Sequence, residues 1–304
     1  MKERILLTGK NGQLGRELQR SLAPLGELVA VDVEDFDLAE IDTVRSFVRT
    51  LRPRIIVNAA AYTAVDDAET EPALAMAINA LAPGVFGEEA ASIGAWVVHY
   101  STDYVFDGTA ERPYSETDTP NPLNVYAKSK RAGELALQAS GAQHVILRTG
   151  WVLSSHAQNF AKTILRLAVE QTQLNVVVDQ FGAPTSAQLV ADMSAHLIRQ
   201  EQTEGSEDFP FGLYHLVAAG ETNWYEYARY IIAAARAEKV PLLLEPDDIQ
   251  AVKSKDYLSP AVRPSNSRLS TDKFCSTFGL PLPHWQSEVD RVLQQIFMIQ
   301  RGQA

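Results

Sequence analysis

The chain has 304 residues, of which 46% are hydrophobic and 21% are charged, a composition typical of a globular protein rather than an extended disordered one. Its 27 basic and 38 acidic side chains give a formal net charge of −11 without any basic run, which argues against a nucleic-acid partner. The N-terminus lacks the apolar region of a signal peptide, no apolar run is long enough to span a bilayer, and the single cysteine, Cys275, excludes a disulfide framework. We therefore expect a cytoplasmic protein without a membrane partner.

Strand-like and helix-like segments alternate through the first half of the chain. Short apolar runs predict strands at residues 5–7, 28–31, 55–57, 96–98 and 145–147. Helical patterns lie between these strands, although Pro83 and Gly84 interrupt one of them. Such alternation predicts repeated βαβ units, and so an α/β fold with a doubly wound parallel sheet of Rossmann type.

The first predicted strand leads into a glycine-rich turn, which runs from Gly9 to Gly15 with the spacing GxxGxxG. Glycine lets backbone N–H groups approach a pyrophosphate, and the N-terminus of the following helix supplies positive partial charge. The second predicted strand ends at Asp32, whose carboxylate can accept hydrogen bonds from an adenosine ribose and would repel a 2′-phosphate. The pattern favours a dinucleotide site that prefers NADH. The alternative is a structural turn followed by a surface aspartate.

Tyr126 and Lys130 are four residues apart in a predicted helix, which places both side chains on one helical face. A free tyrosine titrates at about pH 10, and a nearby ammonium group should lower that pKa. Tyr126 could then donate a proton to a carbonyl oxygen while a hydride reaches the carbonyl carbon. Thr102, at the end of the fourth strand, could hydrogen-bond the same oxygen, because open α/β sheets bind ligands there. A Tyr–Lys pair alone is more often a solvated helix face, but its place in this fold favours catalysis.

These motifs, in this order, resemble the extended short-chain dehydrogenase/reductase family. Longer strings, at residues 57–66, 99–106, 179–185 and 263–269, are similar to the dTDP-4-dehydrorhamnose reductase branch of that family, and the similarity extends over nearly the whole chain. The resemblance implies reduction of the C4 ketone of dTDP-4-dehydro-6-deoxy-L-mannose (dTDP-6-deoxy-L-lyxo-4-hexulose) to dTDP-L-rhamnose by NADH or NADPH. It implies a dTDP-sugar as the substrate and allows a homodimer.

The resemblance also assigns roles to individual residues. Tyr126 would be the proton donor, Lys130 would hold the nicotinamide ribose and lower the pKa of Tyr126, and Thr102 would orient the sugar carbonyl. Thr102, Asp103 and Trp151 would contact the sugar nucleotide. The glycine-rich turn and the resemblance together predict these cofactor contacts: Gly9, Asn11, Gly12, Gln13, Leu14, Gly15, Asp32, Asp37, Leu38, Ala61, Tyr62, Thr63, Tyr100, Tyr126 and Lys130.

The expected division of the chain follows from the same reasoning. We expect residues 1–150 to form an NAD(P)-binding Rossmann domain, with later segments such as 186–217 interleaved into it. Residues 151–304 would form mainly the sugar-nucleotide-binding part. In that part, Arg263 and Arg268 are candidate cations for a diphosphate, since an arginine fork suits phosphate oxygens. For either arginine alone, a surface ion pair with a carboxylate is an equally good interpretation.

The chain departs from the family pattern at a metal position. Some members bind Mg²⁺ between subunits through glutamates, and Glu17 matches one such position, but Gln188 stands where another carboxylate is expected. A neutral amide is a weaker ligand for a hard cation, so we predict no metal site. Members of the family also use NADPH, and Lys10 beside the glycine-rich turn keeps that cofactor open.

Two other functions remain open at this point. The first is a sugar-nucleotide epimerase or dehydratase of the same fold, which would recycle its cofactor internally. The second is a non-catalytic NADP-binding regulatory subunit, similar to that of methionine adenosyltransferase. The presence of Thr102, Tyr126 and Lys130 together favours an enzyme over the regulatory subunit.

Overall fold

Six parallel strands form the central sheet of the structure, a computed structural model that describes residues 3–303. Within those residues the spatial order is β2-β1-β3-β4-β5-β10, where the strands are β1 (Arg4–Thr8), β2 (Glu27–Val31), β3 (Ile55–Asn58), β4 (Trp96–Thr102), β5 (Gln143–Thr149) and β10 (Gly212–His215). Pairing runs outward from β1 in both directions, to β2 on one side and β3 on the other. The predicted α/β fold with a doubly wound parallel sheet is confirmed.

Residues 3–303 also contain six further strands and ten α-helices. The strands are β6 (Val152–Leu153), β7 (Leu174–Val177), β8 (Phe181–Gly182), β9 (Thr185–Ser186), β11 (Thr222–Asn223) and β12 (Ile249–Val252). The helices are α1 (Gln13–Leu22), α2 (Ile41–Leu51), α3 (Pro72–Met76), α4 (Ala82–Ile93), α5 (Val125–Ala139), α6 (Phe160–Glu170), α7 (Ala187–Glu204), α8 (Trp224–Ala237), α9 (Asp272–Phe278) and α10 (Trp285–Gln303).

The sheet is covered on both faces, which explains why its strands read as continuous apolar runs. Side chains alternate, so that Leu7 packs on one face with α1 and α7, while Leu6 packs on the other with α2, α4 and α5. The edge strand β10 and helix α7 come from the second half of the chain. Arg20 of α1 and Asp192 of α7 form an ion pair of 2.6 Å between their side chains.

A separate hydrophobic cluster holds the remaining C-terminal elements together. It is built mainly from α6, α8 and α10, with apolar side chains such as Ile164, Ile231 and Val289 fully or almost fully buried. Paired strands β7 and β12 cover one side of this cluster. The cluster supplies a second wall to the open edge of the central sheet.

The predicted helix that contains Pro83 is continuous, and a π-helical turn at Ala77–Leu81 explains how. The turn joins α3 to α4 and places Pro83 in the first turn of α4, where a missing N–H is tolerated. Because Pro83 offers no N–H to the carbonyl of Asn79, that carbonyl faces outward, toward α5. It meets Gly133, where any Cβ would lie 2.0 Å from the carbonyl oxygen.

Replacing Gly133 by alanine tests this close approach. Helix propensity alone favours alanine by up to about 1 kcal/mol, whereas overpacking of a core contact costs about 1–3 kcal/mol. Because an approach of 2.0 Å lies at the severe end of overpacking, we expect Gly133→Ala to lower the free energy of unfolding in urea by a net value of about 1–2 kcal/mol. The exposed Gln138→Ala on the same helix should change it by less than about 0.5 kcal/mol. A Gly133→Ala protein as stable as the parent would show that α5 does not need this contact.

Candidate functional site

The turn between β1 and α1 fits only glycine at two of its positions. Gly9 has a φ of 73°, and a Cβ there would lie 2.8 Å from the backbone of Ala60. A Cβ on Gly15 would lie 1.9 Å from the carbonyl oxygen of Gly9. Helix α1 begins after Gly12, and its first turn has no capping side chain among the described residues. Its free N–H groups can therefore bind an anion.

The carboxyl ends of β1, β3, β4 and β5 surround a crevice of about 390 Å³ that starts at this turn. Many of the residues predicted to bind the cofactor line it: Gly9, Gly12, Gln13, Leu14, Asp32, Ala61, Thr63, Tyr100, Tyr126 and Lys130. Asp37 and Leu38 line an adjoining cavity of about 120 Å³. The crevice thus joins the glycine-rich turn to the Tyr–Lys pair, as a site for an extended dinucleotide requires.

The end of the crevice beside Asp32 is strongly acidic. The backbone N–H of Asn11 donates to the Asp32 carboxylate at 2.8 Å. The ammonium group of Lys10 contacts Asp35 at 2.5 Å and Glu34 at 3.2 Å, so its charge is already neutralised. These hydrogen bonds raise the pKa of Lys10, the one of Asp35 acting most strongly, and lower the pKa of Asp35. This end suits an unphosphorylated ribose better than a 2′-phosphate.

Three predicted cofactor residues do not line either cavity. Gly15 instead packs against Gly9, and the side chain of Asn11 donates to Glu34 at 2.9 Å. The hydroxyl of Tyr62 donates to Glu71 at 2.5 Å, although the Tyr62 backbone lies beside the crevice and pairs with Asn79. Their predicted contacts with a cofactor stay predictions.

Tyr126 and Lys130 lie together at the inner end of the crevice, at the start of α5. Asn124 caps this helix through a 2.8 Å hydrogen bond from the N–H of Ala127. The ammonium group of Lys130 is buried and donates to the carbonyl oxygen of Tyr100 at 2.6 Å. Burial lowers the pKa of Lys130 to about 8, against the opposing charge of Glu134.

The expected lowering of the Tyr126 pKa by Lys130 is not what dominates in this structure. Burial raises the pKa of Tyr126 to about 12, and a hydrogen bond with Thr102 offsets part of that rise. The reason is that the ammonium group of Lys130 faces the Tyr100 carbonyl, while the ring of Tyr126 is partly removed from water. Tyr126 is therefore a neutral phenol at physiological pH, able to give a proton but unable to accept one.

Thr102 and Asp103 form a buried polar pair beside Tyr126. The hydroxyl of Thr102 donates to Asp103 Oδ1 at 3.0 Å, and the backbone N–H of Tyr104 donates to the Thr102 oxygen at 3.1 Å. The carboxyl packs against Gly150, where a Cβ would lie 2.4 Å from it. Burial raises the pKa of Asp103 to about 6, because hydrogen bonds from Ser267 and Thr102 only partly replace the lost hydration.

Trp151 lies directly after β5 in a left-handed backbone conformation, with a φ of 49°. Its indole ring stacks on Trp224, with ring centroids 3.5 Å apart. Trp224 in turn lines a second cavity of about 570 Å³, which is walled by α6, β7 and the loop that ends at Arg263. Trp151 therefore packs against a residue of the cavity wall but does not line the cavity itself.

The second cavity has apolar walls and two cations, Lys255 and Arg263. The Arg263 guanidinium also binds Asp66 at 2.7 Å, and Asp66 accepts a hydrogen bond from the N–H of Ala261 at 3.1 Å. Asp66 thus holds the wall of the second cavity from the loop that follows β3. Arg268, the other candidate cation, pairs with Glu221 at 2.7 Å and does not line the cavity.

Sequence reasoning missed several residues that line the crevice: Ser101, Thr149, Val152, Ala157 and Gln158. The hydroxyls of Ser101 and Thr149 are buried, with residue exposures of 5% and 7%, and find no hydrogen-bond partner within residues 3–303. Thr149 pairs with Thr102 across the sheet. Its place at the end of the fifth strand was the signal that could have identified it, by the argument used for Thr102.

The positions that suggest a metal do not fit one. Glu17 pairs with Arg20 at 3.3 Å, and it lies in a surface cavity with His156 and Gln188. A single carboxylate that already has a cationic partner, beside an amide, is a poor donor set for a hard divalent cation. Across residues 3–303 no group of three histidine, cysteine or acidic side chains is arranged to bind a metal.

None of the helices in the described part of the chain combines the length and apolar character that crossing a membrane requires.

Comparisons with known proteins agree with this geometry. Residues 2–298 match the family described as RmlD substrate binding domain. The dTDP-4-dehydrorhamnose reductase of Escherichia coli K12 is 51% identical over 297 residues, with 96% of this chain and 98% of the relative covered. That of Sinorhizobium fredii is 41% identical, with 97% of this chain and 98% of the relative covered.

Solved structures give the same result. The dTDP-4-dehydrorhamnose reductase of Bacillus anthracis in complex with NADP superimposes with a TM-score of 0.88 at 33% identity, covering 97% of this chain and 100% of that one. A UDP-glucose 4-epimerase from Thermus thermophilus in complex with NAD has a TM-score of 0.79 at 19% identity, covering 97% and 99%, and so shares the fold alone. The chain belongs to the dTDP-4-dehydrorhamnose reductase family of extended short-chain dehydrogenase/reductase enzymes.

Proposed function

We propose that the chain reduces the C4 ketone of dTDP-4-dehydro-6-deoxy-L-mannose to dTDP-L-rhamnose, with NADH or NADPH as the reductant. The observation that carries this proposal is one continuous crevice, lined at one end by the glycine-rich turn and at the other by Tyr126 and Lys130. Relatives named dTDP-4-dehydrorhamnose reductase, at about half identity over nearly the whole chain, support the same substrate.

In this mechanism Tyr126 donates the proton. The reduced nicotinamide, when bound, supplies a hydride to the carbonyl carbon. The carbonyl oxygen then gains negative charge and becomes more basic than a phenolate, so the neutral Tyr126 phenol transfers its proton to it. Lys130 stabilises the resulting phenolate of Tyr126 by its charge. Thr102 hydrogen-bonds the C4 oxygen of the substrate.

The cofactor residues fit a dinucleotide for reasons visible in the chain itself. The turn at Gly9 and Gly15 has no room for a Cβ, and α1 offers free N–H groups to a pyrophosphate. Thr149 lines the same crevice as Tyr126, and its buried hydroxyl has no partner among the described residues. We assign it to the nicotinamide amide.

The sugar nucleotide would occupy the second cavity. Its volume of about 570 Å³ and its apolar walls suit a nucleobase and a deoxysugar, and Lys255 and Arg263 suit a diphosphate. We also propose that residues 1–150, with 186–217 interleaved, form the cofactor domain, and that residues 151–304 form mainly the substrate part. A homodimer and a cytoplasmic location stay predictions of the sequence.

The alternatives differ in stoichiometry. An epimerase or dehydratase would recycle its cofactor, and a regulatory subunit would bind NADP without turnover. Incubation with the dTDP-4-keto-sugar should consume one NADH for each dTDP-L-rhamnose formed, as measured by near-ultraviolet absorbance and by chromatography of the sugar nucleotides. A different sugar nucleotide, at the oxidation level of the substrate and formed without net NADH loss, would support the epimerase or dehydratase. No new sugar nucleotide at all would support the regulatory subunit.

Tyr126→Phe tests the proton donor. We expect kcat to fall by about 10²–10⁴-fold, the usual contribution of a general acid, because the phenyl ring keeps the shape but carries no proton. The dissociation constant of NADH, followed by its fluorescence, should change little. The matched control is Tyr225→Phe on α8, which should keep full turnover. Near-normal turnover of Tyr126→Phe would refute the assignment.

Asp32→Asn tests the choice of cofactor. Removing one carboxylate beside the expected adenosine ribose should lower the KM for NADPH relative to that for NADH by roughly tenfold, or ~1.4 kcal/mol. The exposed Asp42→Asn on α2 changes the net charge equally and should leave the ratio unchanged. A parent protein that prefers NADPH, with a ratio unaffected by Asp32→Asn, would show that Asp32 does not face the ribose.

Thr149→Val tests the assignment of the buried hydroxyl. The substitution keeps the shape and removes one hydrogen bond of about 0.5–1.5 kcal/mol, so the dissociation constant of NADH should rise by roughly 2–13-fold. ADP-ribose, which lacks the nicotinamide, should bind equally to both proteins. The exposed Thr203→Val is the control for a general effect. Equal losses for NADH and ADP-ribose would place Thr149 away from the nicotinamide.

A further inference from the structure

The hydroxyl of Thr102 has only one proton, and two neighbours, Asp103 and Tyr126, compete for it. Thr102 donates this proton to Asp103 Oδ1 at 3.0 Å, while its oxygen accepts from the N–H of Tyr104 at 3.1 Å. Thr102 is 5% exposed and Asp103 is 3% exposed, so bulk water offers little competition. While Asp103 is an acceptor only, Thr102 cannot also donate to a ketone oxygen.

Within residues 3–303, the hydrogen-bond partners that act most strongly on Asp103 are hydroxyls and backbone N–H groups rather than a cation. The groups that affect its charge are the hydroxyls of Ser267 and Thr102 and two backbone N–H groups, set against desolvation. The neighbouring titratable groups are Tyr104 and Tyr126, both neutral phenols because burial raises their pKa values. Arg263 hydrogen-bonds the neighbouring Tyr104. The carboxyl can therefore take up a proton at modest cost.

We propose that Asp103 is a positioning residue that works in its protonated form: as a neutral acid it donates to Thr102 Oγ1, which frees the Thr102 proton to point at the substrate ketone. The inference rests on the proposed function, in which Thr102 hydrogen-bonds the C4 oxygen. The proton on Asp103 does not leave during turnover. The proton that reaches the product is still that of Tyr126, and Asp103 only reverses the direction of one hydrogen bond.

The protonation state of Asp103 sets the direction of the pH effect. A protonated active form is fully present below the pKa of Asp103, which burial raises to about 6, and is lost as the pH rises through it. A bound diphosphate adds negative charge and excludes water, which raises this pKa further. Lys130, with a pKa that burial lowers to about 8, gives a separate loss at higher pH.

The test is the pH dependence of kcat/KM in the parent protein and in Asp103→Asn. The parent should lose kcat/KM by about tenfold per pH unit above an ionisation at about pH 6, because kcat/KM reports the pKa of the free enzyme. The same ionisation should lie at higher pH in kcat, which reports the complex with bound diphosphate. In Asp103→Asn the side-chain amide donates to Thr102 permanently, so this ionisation should disappear while that of Lys130 remains. A structural role alone would lower kcat/KM equally at every pH and leave the shape of the profile unchanged.

A second variant keeps the proposal falsifiable if Asp103→Asn folds poorly. Thr102→Val removes the hydroxyl, so the lower ionisation should vanish there too, at a reduced rate. Binding of NADH, followed by fluorescence, checks that each variant is folded. A flat parent profile between pH 5 and 7.5, or an unaltered ionisation in Asp103→Asn, would overturn the role of Asp103. If Tyr126→Phe is inactive in the same assay, the proposed function still stands; if it is active, that function fails.

Discussion

The docking of α5 against the π-helical turn fixes where the candidate chemistry can occur. The carbonyl of Asn79 fills the space left by Gly133, and the side chain of Asn79 donates to Ser129 at 3.0 Å. The same amide exchanges hydrogen bonds with the backbone of Tyr62, in the loop after β3. One buried asparagine therefore sets the distance between the helix that carries the Tyr–Lys pair and the loop that borders the crevice.

Buried charge is divided unevenly along this helix. Behind Lys130, the carboxylate of Glu134 is bound by Arg148 at 2.7 and 2.8 Å and by Arg131 at 2.6 Å, which keeps its pKa low in spite of burial. Ahead of Tyr126, the hydrogen-bond partners that act most strongly on Asp103 within residues 3–303 are hydroxyls and backbone N–H groups. The helix thus separates a carboxylate held ionised from one that is easily protonated, and Tyr126 lies between them. Buried acids with opposite pKa shifts are a common arrangement in catalytic sites.

Much of the fold and part of the site follow from local sequence. The apolar runs and the glycine spacing determine a doubly wound sheet and the phosphate end of the crevice, because both depend on period and backbone sterics. The pKa of Tyr126 could not be predicted, since the spacing to Lys130 says nothing about which acceptor Lys130 faces. The π-helical turn could not be predicted either, because it depends on two residues fifty positions apart. Pro83 offers no N–H to the Asn79 carbonyl, and Gly133 leaves room for that carbonyl. The position of Thr149 at the end of the fifth strand could have marked it as a candidate, but that its hydroxyl has no partner within residues 3–303 is visible only in the structure.

The Asp66–Arg263 contact has a consequence for how two ligands bind. Asp66 follows Thr63, which borders the cofactor crevice, while Arg263 and Ala261 form the wall of the second cavity. Order gained by one segment would therefore reach the other through Asp66, which binds both the Arg263 guanidinium and the N–H of Ala261. Coupling between two binding sites is reciprocal. If a nucleotide that stiffens the first segment raises the affinity of the second cavity for its ligand, that ligand raises the affinity for the nucleotide by the same factor. If ligands bind at both places, each affinity would therefore depend on whether the other place is occupied.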